Sequence, residues 1–448
     1  MNLRTIFRAG MCVFFVGFGY SRAGDTSDIT YKPQGYGAFE VGQIGSGYFR
    51  ELGQTILPIS HIWQQRAYGN FGFDVLIKEH LEFNIRGEGW LVYSTPQVGS
   101  EPQTLQTRNF FFLKTANAAY SFLNSEQYGL QLQIGYFPFK YNPDVRNLGE
   151  YLFRANAYPL LVYSDFDYPQ ADLLGAHVKF AYQMPDLLRL QNDLLVHSEI
   201  YSIPVQDWSL SDVFSASLFD AVTIGGGISF CNLFSVYQGT YPSQWYDQNL
   251  NPDPKNPSLI MLKNAAGTDS AVFDWKSTNV MARCSFDPKK FIHTDLLGKN
   301  DLILYGEADF MGLKNYPLYF TDLRDRTFYS VGFNVPGFKI FDVINGEIEY
   351  CRDTNSFSNE FLFQTTPDIS PRPLVNGASL IKIKRNQLRL SVYIKKTILD
   401  GHVGFIAQCA RDHKKLNFYY FKRDYMSFIE TLPSTQDWWW VFKTEFNF

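Results

Sequence analysis

The run Trp438-Trp439-Trp440-Val441-Phe442-Lys443-Thr444-Glu445-Phe446-Asn447-Phe448 constrains this chain more than any other segment. Read at period two, Trp438, Trp440, Phe442, Thr444, Phe446 and Phe448 share one face. Trp439, Val441, Lys443, Glu445 and Asn447 share the other. Successive side chains of a strand point to opposite faces, so this is a strand with one apolar and one mixed face. Lipid outside and water inside a closed sheet impose that alternation. On the open edge of a soluble sheet, so apolar a run would template aggregation.

The other end of the sequence agrees. Arg4 and Arg8 precede a mostly apolar stretch over 9–20, and Ser21-Arg22-Ala23 supplies small residues where a signal peptidase reads. This layout predicts a cleavable secretory signal over 1–23 and a mature chain from Gly24. The stretch is short of the roughly 20 residues a membrane-spanning helix needs. Cys12 lies inside it, away from the cleavage site, which argues against a lipoprotein. Taken together, the two ends resemble Gram-negative outer-membrane β-barrels, whose terminal aromatic residue is read by the assembly machinery. The resemblance implies that Phe442, Phe446 and Phe448 carry the barrel-assembly signal. It also implies the cell outer membrane as location, with its lipid bilayer and the barrel-assembly machinery as partners.

Composition is consistent with that reading. Aromatic residues make up 17% of the chain, with 41 Phe and 28 Tyr, and a barrel needs aromatics for its two interfacial girdles. Hydrophobic content is 45%, as expected where lumen positions are polar. A net charge of −4 argues against a nucleic-acid partner. Cys231, Cys284, Cys351 and Cys409 would permit disulfides in an oxidising compartment, though isolated thiols fit their scattered positions equally. No metal-ligand spacing and no cofactor motif is present: CxxC is absent and the seven His are dispersed. The run 249–256 has oxygen ligands that could hold calcium, but its prolines fit an exposed loop better.

Alternation recurs along the mature chain. Over 80–93, Leu81, Phe83, Ile85, Leu91 and Tyr93 oppose Glu82, Asn84, Arg86 and Glu88. Over 127–136, Tyr128, Leu130, Leu132, Ile134 and Tyr136 form the apolar face. The pattern returns at 189–201, 301–312, 343–353, 388–396 and 401–411, while 203–219 reads as either a strand or a short loop helix. Short connections fall near 78–79, 123–126, 184–188, 219–220, 287–299, 336–341, 385–387 and 412–414. Longer ones fall near 94–107, 137–171, 236–272, 313–326, 354–376 and 426–436. The predicted fold is all-β: one transmembrane antiparallel up-and-down barrel over 24–448, with short periplasmic turns and long extracellular loops. Pairing 377–384 with 388–396, and adding a strand over 415–425 to keep the number even, gives about 18 strands, with roughly 16 as the alternative.

A barrel this wide leaves an aqueous channel. The plan resembles general or substrate-selective porins, which implies passive diffusion of small hydrophilic solutes and allows a homotrimer. The segment 137–171 is the candidate constriction: its aromatics suit infolding, a short amphipathic helix is expected after Asn147, and Asp144, Arg146, Glu150 and Arg154 would face solute. An Arg146–Glu150 pair on an outward-packed loop is the plainer reading. Predicted pore-lining acids are Glu82, Glu307, Asp309, Glu347 and Glu349. Predicted pore-lining bases are Arg86, Lys382, Lys384, Arg389, Lys395 and Lys443. A wall of both signs predicts a transverse field and weak ion selectivity. Tyr237, Tyr241, Trp245 and Tyr246 could stack on sugars, although an outer girdle explains them as well. Catalysis is not expected: His197 with Glu199, and Asp412 with His413, are the nearest candidates, and no G-x-S-x-G elbow occurs. A structural or partner-binding barrel with an occluded pore, an adhesin or assembly component, is the alternative function.

Overall fold

The computed structural model describes residues 29–50, 56–95, 106–157, 170–199, 207–234, 277–292, 294–313, 323–351, 387–411 and 438–448. Short stretches at 97–98, 101–102, 160–162, 251–253, 256–263, 269–274, 415–416 and 429–430 are also described. Sixteen antiparallel strands close into a barrel in sequence order. They are β1 (Ile29–Arg50), β2 (Ile56–Ile77), β3 (Leu81–Thr95), β4 (Gln106–Asn124), β5 (Tyr128–Phe139), β6 (Ala171–Met184), β7 (Leu188–Glu199) and β8 (Trp208–Leu218). The second half comprises β9 (Val222–Phe234), β10 (Ser277–Phe286), β11 (Leu304–Phe310), β12 (Thr327–Val335), β13 (Val343–Cys351), β14 (Gln387–Ile398), β15 (Val403–Arg411) and β16 (Trp439–Asn447). The seam joins β1 to β16, from Tyr36 opposite Asn447 to Ile44 opposite Trp439, and the Phe448 amide donates to the Gly35 carbonyl at 2.9 Å.

Burial is inverted relative to a soluble protein. Phe73, Ile85, Ile134, Val331, Val392, Phe405 and Phe442 are exposed on the outside, while Glu40, Asn117, Asp193, Ser211, Asn279, Glu349 and Gln408 are buried within. Such a surface is stable only against lipid, and the polar interior is that of a lumen. Aromatic pairs mark both ends of the wall. Tyr128 and Tyr182, cross-strand partners on β5 and β6, lie 5.1 Å apart beside one short turn, and Trp63 meets Trp440 edge-on at 5.6 Å towards the other end.

The tight hairpins share one end of the barrel. Lys78-Glu79, Phe219-Asp220, Phe338-Lys339 and Leu399-Asp400 each place two successive residues at positive φ, between 49° and 61°. That is the turn geometry whose twist matches the flanking strands. The strand count is sixteen, the alternative, rather than about 18. Strands β14 and β15 form the last tight hairpin, turning at 399–402 and not at 385–387. Of the expected strand over 415–425, only Lys415–Leu416 has a described partner, Ile429–Glu430, in a two-stranded sheet outside the barrel. The expected strand over 377–384 and turn over 412–414 lie outside the described residues. The ambiguous segment 203–219 yields strand β8: Leu210, Phe214 and Leu218 are four apart, a spacing that repeats on one face of either a helix or a strand.

A candidate constriction and the cavity beside it

The barrel interior is organised by the chain between β5 and β6. Leaving β5 at Phe139, the chain turns inward through Lys140–Glu150, makes a single helical turn, α1 (Tyr151–Arg154), and forms a small hairpin of Ala155–Ala157 with Leu160–Val162. Two sets of contacts hold it inside. The first is apolar: Phe137, Phe139, Tyr141, Leu152 and Phe153 pack with the inward side chains Leu173, Leu195, Val213 and Met281 of β6, β7, β8 and β10. Burying each large side chain contributes about 1.5–3 kcal/mol.

The second set is electrostatic. Glu347 on β13 accepts the backbone amides of Arg146, Asn147 and Leu148 at 2.6, 2.8 and 2.8 Å. Glu307 on β11 accepts the Tyr141 hydroxyl at 2.6 Å, the Asn142 side-chain amide at 3.2 Å, and the backbone amides of Glu150 and Tyr151 at 3.2 and 3.0 Å. Glu349 accepts the Tyr151 hydroxyl at 2.5 Å. All three carboxylates are buried. Successive amides pointing at one oxygen pair form an anion nest, and its charge-assisted bonds are worth about 1.5–3 kcal/mol each. Local backbone strain permits this convergence. Gly149 sits at φ +105°, where a Cβ would come within 3.0 Å of Val145 Cγ2, and Glu150 follows at φ 63°. Glu150 turns back to accept the amides of Tyr141 and Asn142. Burial and the neighbouring carboxylates push the Tyr141 and Tyr151 hydroxyls well above the usual tyrosine range, so both remain donors.

Glu307, Glu347 and Glu349 face inward, but they bond the infolded segment rather than open water. Asp309, on the same inward face, is fully buried, and neither carboxylate oxygen meets a partner among the described residues. Arg389 is buried against Glu349, its Nη1 donating at 3.4 Å. Glu82 is half-buried on β3. Asp144 is half-buried, and Glu150 is buried within the turn. The side chain of Arg154, and Lys382 and Lys384 altogether, lie outside the described residues. The expected amphipathic helix shrinks to the one turn of α1, because positive φ at Gly149 and Glu150 prevents it from starting after Asn147.

Arg86, Arg146, Lys395 and Lys443 converge on a cavity of about 370 Å³. It lies between the infolded segment and the strands flanking the seam, β1–β4 and β14–β16. Among the described residues, Lys114 and Lys140 add to its cationic lining, and Glu445 is its one carboxylate. Sequence reasoning missed both lysines. Lys114 owes its direction to a β-bulge: Arg86 pairs with Thr115 and Gly87 with Leu113, so Lys114 is the extra residue and both it and Thr115 turn inward. The apolar run Phe110-Phe111-Phe112-Leu113 before it has no alternation from which a face could be read. Lys140 donates to the Val145 carbonyl at 2.8 Å, inside the loop whose fold the pattern did not reveal.

The remaining candidates lie elsewhere. His197 is buried beneath the segment, 2.9 Å from Ser211 Oγ and against Phe153. The side chain of Glu199, the pair Asp412-His413, and Tyr237, Tyr241, Trp245 and Tyr246 are outside the described residues. The Cys284 and Cys409 side chains are exposed and Cys231 is half-buried. The exposed side chains of Phe442, Phe446 and Phe448 share the outer face of β16.

No family model and no curated protein matches the sequence. Among solved structures the chain is similar to engineered variants of Rhodopseudomonas blastica porin, for one of which the identity is 7% and the TM-score 0.39, over 94% of this chain and 100% of that one. It is also similar to OprB of Pseudomonas putida, at 10% identity and a TM-score of 0.48, over 93% of this chain and 94% of that one. By its own strand order, closure and inverted burial, the chain is a closed, antiparallel up-and-down barrel of sixteen strands with a polar interior.

Proposed function

We propose that this chain is a porin of the Gram-negative outer membrane, through which small hydrophilic solutes diffuse passively. The single observation that supports this most is the polar-lined cavity of about 370 Å³ beside the infolded segment. Its volume is within the roughly 300–1,000 Å³ of sites that hold small organic molecules. In this reading 137–171 is the constriction loop, and its docking on Glu307, Glu347 and Glu349 fixes the bore. The signal over 1–23 directs export, and the outer face of β16, ending at Phe448, is what the assembly machinery reads. Planar-bilayer recording of the refolded chain from Gly24 tests this: discrete conductance steps are expected. A folded, heat-modifiable barrel that stays silent would overturn it in favour of an occluded structural or partner-binding barrel.

A further inference from the structure

Resting on that reading, we propose that the passage selects anionic solutes, the class that carries carboxylate or phosphate groups. The two sides of the lumen differ in what they leave facing the cavity. On the β11–β13 side, Glu307, Glu347 and Glu349 are buried under the segment and bonded to its amides and hydroxyls. The segment thus covers the acidic wall and brings two cations of its own, Lys140 and Arg146, to the cavity. On the seam side Arg86, Lys114, Lys395 and Lys443 line the same space, with Glu445 the carboxylate among the described lining residues. Carboxylates do pair with some of these: Asp74 with Arg86 at 3.0 Å, Asp172 with Lys114 at 3.0 Å, and Glu445 with Lys395. Asp74 and Asp172 do not line the cavity. Glu40 and Glu88, on the same side, bond Arg66 and the Trp90 indole and do not line it either.

Among the described residues, six cationic side chains stand against Glu445 in the lining and Asp74 and Asp172 behind it, and the excess leaves a positive potential in a narrow, low-dielectric passage, where field lines are focused and counter-ion concentration rises. Cations meet a barrier there, and anions a site of several exchangeable partners, strong enough to enter and weak enough to leave. This replaces the weak selectivity expected from a two-signed wall.

The test is the reversal potential of the bilayer-inserted protein under a potassium chloride gradient, compared with a variant carrying Lys140→Gln, Arg146→Gln and Lys443→Gln. Wild type should prefer chloride over potassium severalfold, and the triple variant should approach no preference. Heat-modifiable migration would verify that the variant folds, and Lys290→Gln, on an exposed turn outside the cavity, should behave as wild type. At low salt, potassium phosphate or potassium succinate should reduce the chloride current; which of them blocks identifies the preferred group. An open channel that prefers potassium or neither ion, or one that neither anion blocks, would overturn this inference and leave the channel reading standing. A silent barrel would remove both.

Discussion

At the scale of single residues, buried carboxylates hold the infolded loop. Glu347 is the clearest, because three backbone amides converge on it in a buried place. Glu347→Ala would strand those donors, and each unsatisfied buried donor costs about 1–3 kcal/mol. The expected outcome is a segment that undocks while the barrel persists, seen as increased current noise and as cleavage by added protease within 140–157. Glu347→Gln keeps an acceptor oxygen and should fall between. Protonation gives a second handle. Tyr141 and Tyr151 are held above their ordinary range, so the docked segment keeps protons that an undocked one would lose as pH rises past about 10. Their contribution is therefore fully present at neutral pH and declines above about pH 10. Ultraviolet titration should show a late-ionising pair of tyrosines, absent when both are replaced by Phe. At this scale the sequence was only half legible. Alternation alone placed Glu307 and Glu347 on the inward face, since period two is local. What those carboxylates bond is set by a segment more than a hundred residues away, and no local pattern encodes that contact.

At the scale of elements, strands with clean alternation were readable, and those with bulges or continuous apolar runs were not. Strands β3, β5 and β16 separate apolar from polar positions along most of their length, whereas β4 passes through a bulge that shifts its faces. The turns were harder. All eight of the paired positive-φ turn positions are occupied by Lys, Glu, Phe, Asp or Leu instead of the Asn-Gly that usually announces such turns. Nothing local therefore marks 399–402 as a tight turn at the short-turn end, and strands over 377–384 and 415–425 bring the expected number to about 18. The two counts place this turn at opposite ends of the barrel. With sixteen strands Asp400 shares an end with Glu79 and Asp220; with about 18 it would sit among the long loops. A cysteine introduced as Asp400→Cys should therefore resist a membrane-impermeant thiol reagent applied to intact cells, as should Asp220→Cys. Labelling of Asp400→Cys alone would contradict the sixteen-strand register.

At the scale of the whole molecule, three sectors divide the lumen: an apolar one that anchors the segment on β6–β10, an acidic one that clamps it on β11–β13, and a cationic one left open beside the seam. Closure and inverted burial follow from alternation and were legible from the sequence. The partition was not, because it depends on which wall the segment chooses to cover. The central claim is that this segment narrows an otherwise wide channel, and the most direct measurement is single-channel conductance of the intact chain against one lacking 143–157. Discrete steps that grow severalfold on deletion, with the anion preference reduced as Arg146 is lost and Glu307 and Glu347 are uncovered, are the predicted result. Equal conductance in the two proteins would contradict it.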